Sequence, residues 1–514
     1  MSLENNLREM ERARERYWRH YSGTSPIKLR WRALTVRHCF HILPGESILE
    51  IGAGSGIWTE HLSEALRQEN EITAAVFNPE FAADRRWQRL HNVHCLLVES
   101  LEDLPAQSFD YIAGTAILCH SEYQRNLRSM YRLLKPGGEM IFFESNFWNP
   151  QVFVKNVIRP LGRWWGNASC QVALRRYRLL QAASHAGFSH VDITPYDIVH
   201  PLLPKKLVSF VQSLAFIFEH MPVVKETCGT LCIRAKRPDS GIRAPRRANL
   251  ARYPQFHNAV SFVIPCHNEE PNVGPLVKNL TDLYDAYIRE IVIVNDNSSD
   301  RTVEVTRQLA LHDARVKLVD RTPPNGLGRA LKDGFAAATG PYIFTMDADF
   351  IQILPECRDL FDALAQGYDG AIGSRFTQES VMVNYPFIKI LCNRGFHLLA
   401  NLLLRCHVHD ISNNLKLFRA EIFKQMDIAQ PHFAANAEIG LKAVLAGYSI
   451  REVPVSWINR TSEMGQSSFR IVRVAPGYFS ALMRIARSAR RGATASAKPP
   501  DAYDLAKDAP AADR

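Results

Sequence analysis

Tyr342-Ile-Phe-Thr-Met-Asp-Ala-Asp-Phe350 is an apolar run that ends in two carboxylates, Asp347 and Asp349, one residue apart. Side chains i and i+2 share a face of a strand, so where the strand frays into a loop both acids can turn toward one cation. Hard oxygen ligands with open coordination positions suit Mg²⁺ or Mn²⁺ holding a diphosphate. The bland alternative is a pair of solvated acids at a strand end, and the neighbouring stretches weigh between the two.

Upstream, Val260-Ser-Phe-Val-Ile-Pro265-Cys-His-Asn-Glu-Glu270 and Glu290-Ile-Val-Ile-Val-Asn-Asp-Asn-Ser-Ser-Asp300 are further apolar strands that end in polar and turn-forming residues. Strands alternating with helices, each with functional groups at its C-terminal end, imply a parallel, doubly wound sheet whose ligand sits at that edge. Asn325-Gly-Leu-Gly-Arg329 opens a helix after a glycine turn, which suits close approach of a nucleotide.

These motifs, followed by Ile372-Gly-Ser-Arg-Phe376, resemble family-2 inverting glycosyltransferases of the GT-A fold. Asp410-Ile-Ser-Asn-Asn-Leu-Lys-Leu-Phe-Arg419, Glu438, Glu452-Val-Pro-Val455 and Asn459-Arg-Thr-Ser-Glu-Met-Gly-Gln-Ser-Ser468 bring the resemblance to the polyprenyl-phosphate branch, the dolichyl-phosphate mannosyltransferase type. The resemblance implies that Pro265, Glu269 and Asp296 frame the nucleotide, and that Asp347, Asp349 and Gln352 carry the metal on the diphosphate. It also implies that Arg375 and Arg460 bind phosphate oxygens, and that Asp410 and Glu438 line the transfer site, with Asp349 central to catalysis. A lipid phosphate acceptor is already ionised and needs no general base, whereas a hydroxyl acceptor would hand its proton to Asp410 or Glu438. Two departures fall on the acceptor side. The family's Ser-Gly-Phe-Arg is Asn413-Asn-Leu-Lys416 here, and a Lys of the family is Ser468.

The first half has its own deciding stretch, Ser47-Ile-Leu-Glu-Ile-Gly-Ala-Gly-Ser-Gly56-Ile-Trp-Thr-Glu-His-Leu62: strand, glycine-rich turn, helix start. Glycines let a backbone approach a ligand, and the helix N-terminus offers free N–H groups. With Ser108-Phe-Asp-Tyr-Ile-Ala-Gly-Thr-Ala-Ile-Leu-Cys-His120 and Leu133-Leu-Lys-Pro-Gly-Gly138, this resembles class I S-adenosylmethionine-dependent methyltransferases. The resemblance implies that Glu50, Gly52, Gly54, Gly56 and Ser100 bind S-adenosyl-L-methionine. The family's acid for the ribose hydroxyls is missing at the end of the second strand, where only Asn78 or Glu80 could substitute. His120 reads as structural rather than as a base. Ahead of this domain, a charged and aromatic segment, with Arg16, Tyr17, Trp18 and Arg19 at roughly helical spacing, reads as a lid or packing helix.

Composition agrees with a multidomain globular protein: 514 residues, 46% apolar and 22% charged. A net charge of +10 favours anionic partners. The arginines gather in a linker and a tail rather than alternating with aromatics, so nucleic acid is not expected. Ten cysteines without a Cys-x-x-Cys pair read as buried thiols in a reducing compartment, with Cys39, Cys95, Cys232 and Cys392 placed in apolar runs. The polar start carries no signal-peptide pattern, which gives an expected cytoplasmic location with peripheral contact at the inner membrane face.

The expected fold class is therefore α/β with two doubly wound domains, a Rossmann-like methyltransferase fold and a GT-A fold. The expected boundaries are a helical segment 1–44, a methyltransferase-like domain 45–235, a basic linker 236–257, a glycosyltransferase domain 258–470, an amphipathic basic helix 471–491 and a disordered tail 492–514. The expected function is metal-dependent inverting transfer of a sugar from a nucleotide-sugar donor to a lipid-linked (polyprenyl phosphate) or small-molecule acceptor, joined to methylation of a related substrate. The alternative is a glycosyltransferase whose methyltransferase-like domain only binds.

Overall fold

The computed structural model describes residues 3–118, 120–157, 174–199, 203–239, 246, 248–377, 379–383, 385–458 and 471–492. The chain forms two compact units, Met1–Ala248 and Asn249–Arg514. The expected tail and the 459–468 motif lie outside the described residues, apart from Gly492.

Unit 1 is built on strands β1 (Ile48–Ile51), β2 (Ile72–Val76), β3 (Val93–Leu97), β4 (Phe109–Thr115), β5 (Leu134–Ser145), β6 (Ser189–Tyr196) and β7 (Thr230–Lys236). They form one sheet in the order β3-β2-β1-β4-β5-β7-β6. All neighbours are parallel except β7, which runs antiparallel to both β5 and β6. Central strands of such a sheet are covered on both faces, so they read as unbroken apolar runs rather than alternating ones, and β1 and β4 are buried at every position. The Lys-Pro-Gly-Gly motif is an excursion within the β4–β5 ladder, which jumps from Phe109↔Leu134 to Tyr111↔Glu139. Asp110 anchors that excursion by accepting from Lys135 Nζ at 2.7 Å and from the Ser47 amide at 3.0 Å. Helices α1 (Leu3–His20) and α2 (Ser25–Phe40) precede the sheet, and α3 (Ile57–Ala65) follows β1. Leu7 and Met10 of α1 are fully buried in the core with Leu49, Ile51, Phe77 and Ile117.

Unit 2 contains β8 (Val260–Cys266), β9 (Ile288–Asn295), β10 (Val316–Asp320), β11 (Tyr342–Thr345), β12 (Gly370–Ser374), β13 (Val381–Val383), β14 (Lys416–Arg419), β15 (Ile450–Pro454) and β16 (Ser456–Ile458). Seven of them form a sheet in the order β10-β9-β8-β11-β14-β12-β15, while β13 and β16 pair separately. Within the large sheet only β14 is antiparallel to its neighbours, β11 and β12. The C-terminal ends of β8, β9 and β11 therefore open on one edge, which delivers Pro265, Asp296 and the Asp347/Asp349 pair to the same side.

The basic helix at the C-terminus, Ile471–Gly492, buries Ala481, Leu482, Ile485 and Ala486 and packs against helices Phe387–Leu404 and Ala435–Leu445 of its own unit. Cys39 and Cys232 are buried as expected, but Cys95 is half-buried and Cys392 exposed. Cys392 departs from expectation because its helix turns this position toward an open cavity rather than the core.

Candidate functional site

In unit 2, a cavity of about 580 Å³ opens at the strand edge, and its lining includes Pro265, Glu269, Asp296, Asp347, Asp349 and Arg375. Six of the expected positions thus meet at one place. Asp347 is steadied by a side chain that sequence reasoning treated only as a departure: Asn414 Nδ2 donates to Asp347 Oδ1 at 2.7 Å, and Asn414 Oδ1 accepts from Thr345 Oγ1 at 3.2 Å. Two carboxylates on one cavity wall, one of them held in place by an amide, fit a hard divalent cation whose other positions go to diphosphate and water. Gln352 does not line this cavity and is exposed on the following turn, because the chain curls away after Phe350.

Asp296 is engaged by the protein itself. It forms an ion pair with Arg321 Nη1 and accepts from the Gly326 amide at 2.7 Å, while Arg321 Nε also reaches Asp333 at 2.6 Å. Arg321 was missed because one arginine after a strand carries no pattern of its own. The glycine turn borders the cavity through Asn325, Gly326 and Leu327 and also meets the chain: a Cβ on Gly328 would stand 2.0 Å from the Gln430 carbonyl oxygen, and the Gly328 amide donates to Pro431 O at 2.9 Å. Those glycines let the 430–431 backbone close on the start of helix Leu327–Ala337.

Asp410 and Glu438 do not line the cavity. Asp410 is fully buried and grips Arg375 through a two-pronged ion pair, Nε–Oδ2 at 2.6 Å and Nη2–Oδ1 at 2.9 Å. It also accepts from the Arg375 amide and from Ser412 Oγ. Burial alone would raise its carboxyl, but the adjacent guanidinium holds it well below the usual carboxylate range. Arg375 in turn lies against the Trp457 ring at 5.3 Å and the Tyr385 ring at 5.9 Å. Glu438, also buried, accepts from the Ala429 and Gln430 amides and pairs with Lys442 Nζ at 2.8 Å, fixing the loop that covers the glycine turn. In this arrangement both acids hold neighbouring groups instead of lining the cavity, where they were expected at the transfer site. Lys416 is fully buried too. Burial pushes its ammonium down to about 7, so it is not the permanent cation that an arginine would be. Arg460 lies outside the described residues.

In unit 1 Glu50 and the expected glycines lie at the C-terminal end of β1, with Asn78 following β2 and Ser100 following β3. Gly52, Gly54 and Gly56 adopt φ of +70°, +62° and +80°, the left-handed backbone for which glycine is suited. Glu50 is fully buried at the end of β1, and burial pushes its carboxyl up to about 7. The space in front of the loop is filled by α1. Glu11 accepts from the amides of Gly54 (2.9 Å), Phe77 (3.2 Å) and Asn78 (3.0 Å) and from Asn78 Nδ2 (2.6 Å). Glu15 accepts from Ser55 Oγ, and a Cβ on Gly54 would meet Arg14 Nη2 at 2.8 Å and Glu15 Oε2 at 2.9 Å. Ser100, expected to bind the cofactor, caps a short turn, its Oγ accepting from the Glu102 amide and its own amide donating to Asp103. The Gly54 and Ser100 amides, expected to meet S-adenosylmethionine, are thus engaged by their own chain, and the cofactor does not fit the loop in this arrangement. His120 is buried, with Nδ1 accepting from the Glu122 amide and Nε2 against the Asn126 amide. Burial pushes it down to about 4, so it is a neutral structural histidine.

Each unit matches a family model over part of its length. Residues 261–427 match the family model for glycosyl transferase family 2, and residues 49–142 match that for a methyltransferase domain. The chain is 28% identical over 232 residues to the glycosyltransferase AglD of Haloferax volcanii, covering 44% of this chain and 36% of that one. It is 29% identical over 218 residues to the polyprenol monophosphomannose synthase of Mycolicibacterium smegmatis (40% and 82%). It is 32% identical over 202 residues to the dolichol-phosphate mannosyltransferase of Pyrococcus furiosus (38% and 56%). The chain thus spans only about a third and about half of the length of two of these relatives. One stretch of the chain thus matches the methyltransferase-domain model and a later one the glycosyl transferase family 2 model, and the later stretch is similar in sequence to polyprenol- and dolichol-phosphate mannosyltransferases.

Proposed function

We propose that unit 2 transfers a sugar, with inversion, from a nucleotide-sugar to the phosphate of a lipid-linked acceptor. The observation that carries this reading is the commitment of both candidate proton acceptors elsewhere: Asp410 is locked to Arg375, and Glu438 to its loop and Lys442. An ionised phosphate needs no base, and Arg375 and Lys389 line the cavity that such an acceptor would enter. Asp347 and Asp349 would hold Mg²⁺ or Mn²⁺, which supplies charge neutralisation for the departing diphosphate. Pro265, Glu269 and the Asp296–Arg321 pair frame the nucleotide end of the donor, and Arg375 faces the phosphates, with Arg460 a further candidate.

A lipid acceptor agrees with the apolar side of the same cavity. Helix Phe387–Leu404 contributes Phe396 and Leu399 to the lining and leaves Ile388, Leu391, Leu398 and Leu402 exposed, with Phe479 exposed on the last helix. Among the described residues this helix is the one long and apolar enough, by length and composition, to cross a membrane. We read it as resting in a membrane interface on the cytoplasmic side. Methylation by unit 1 enters this reading only for a state in which α1 has left the glycine loop.

The test is turnover of a panel of nucleotide sugars by the intact chain with polyprenyl phosphate, with and without Mn²⁺, beside Asp349→Ala. Lipid-linked sugar that forms only with metal and disappears in the variant is expected. Equal product from the variant, or product without metal, contradicts the reading.

A further inference from the structure

One face of α1 meets the glycine loop and the ends of the neighbouring strands at this sheet edge. Arg8, Glu11, Arg12 and Glu15 recur at spacings of three and four and so form one helical stripe. Glu11 takes the Gly54, Phe77 and Asn78 amides, a set of main-chain donors at a glycine loop and strand end of the kind that binds anionic ligands. Glu15 takes Ser55, and Arg14 Nη1 donates to the Thr115 carbonyl at the end of β4. The two residues that could replace the missing ribose acid are engaged as well. Asn78 donates to Glu11 and to Arg8 O, and Glu80 pairs with Arg12 Nε at 2.8 Å. From the opposite side, Arg86 Nη1 donates to Ser55 O at 2.7 Å, and the Trp87 ring would meet a Cβ on Gly56 at 3.0 Å.

We propose that α1 is a built-in plug: the Glu11 carboxylate is an internal ligand of the glycine-loop site, and S-adenosylmethionine enters unit 1 only by displacing this helix. Two features distinguish the arrangement from ordinary helix packing. Glu11, Arg14 and Glu15 are buried charged side chains aimed into a glycine loop, where apolar packing would be simpler. Glu50, a further fully buried acid, lies nearby beside the Thr59 side chain. The apolar residues Leu7 and Met10 hold the plug in place through the core, so removing the polar contacts alone weakens it without deleting the helix.

The experiment measures S-adenosylmethionine binding to the intact chain by calorimetry, in wild type and in a Glu11→Ala/Glu15→Ala double variant. Hydrogen exchange of α1 and of the Gly54, Phe77 and Asn78 amides is followed as the ligand is added. We expect the variant to bind at least tenfold more tightly than wild type, and ligand to speed exchange along α1 of the wild-type chain. Equal affinities, absence of binding in both proteins, or binding to wild type with α1 exchange unchanged would each overturn the proposal. The exchange arm keeps the test valid should the variant fail to fold. Glycosyl transfer by the same proteins is a property of unit 2, so failure here leaves that reading standing.

Discussion

Replacing Asp410 with Asn separates two roles for this residue. The substitution keeps the shape and removes the charge from a fully buried group that accepts from Arg375 Nε, Arg375 Nη2, the Arg375 amide and Ser412 Oγ at 2.6 to 3.1 Å. An asparagine turns an N–H₂ toward one of the guanidinium nitrogens, donor against donor, and leaves the Arg375 charge unpaired with only about a tenth of its side chain exposed. Breaking one partner of a buried, hydrogen-bonded ion pair costs about 3–5 kcal/mol, two orders of magnitude or more in the folding equilibrium. Because the chain has two units, a single unfolding midpoint is ambiguous, so the assay is native-state hydrogen exchange at the β12 and β14 amides, which reports opening of unit 2. The opening free energy should fall by that amount, with activity lost in proportion as Arg375 comes loose. A variant whose exchange matches wild type to within about 0.5 kcal/mol but which has lost transfer would refute the scaffolding role, since that is the behaviour of a proton acceptor.

Gly328→Ala should destabilise unit 2 by about 1–3 kcal/mol, because the new Cβ meets a main-chain oxygen at 2.0 Å. Gly274→Ala, which meets nothing within 4 Å inside helix Glu270–Tyr284, should leave unit 2 as stable or stabilise it by about 0.5–1 kcal/mol. Urea titration of the two variants checks the contrast. His120, ordinarily near 6.5, is held at about 4 by burial, so its folded form resists protonation. The stability this contributes is complete above pH 6.5 and is lost as pH falls toward 4, about 3 kcal/mol over that window. His120→Gln should flatten this part of the acid limb of unit 1 stability, measured by exchange in β4 at several pH values. An unchanged acid limb would show that His120 is not responsible.

The fold was legible because both sheets depend on short, wholly buried strands. Ile48–Ile51 appears where its apolar pattern placed it, and Val260–Cys266 ends at the polar residues that line the cavity. What escaped were interactions made by residues far apart in sequence. Asp410 was legible as an acid in a motif, but whether it faces substrate or Arg375 depends on a partner 35 positions away. The same holds for Glu11, an unremarkable acid in a charged helix until it meets amides 43 to 67 residues later. Asn414 and Arg321 were missed for the complementary reason: each acts by steadying another residue, Asp347 or Asp296, and carries no spacing signal of its own.

The central claim is that the acceptor arrives already ionised. It is tested most directly by giving the intact chain, with Mn²⁺ and the nucleotide sugar it turns over, polyprenyl phosphate and the matching uncharged polyprenol side by side. The account predicts sugar on the phosphate and none on the alcohol. Transfer to polyprenol at a comparable rate would require a proton acceptor in the cavity and would contradict it.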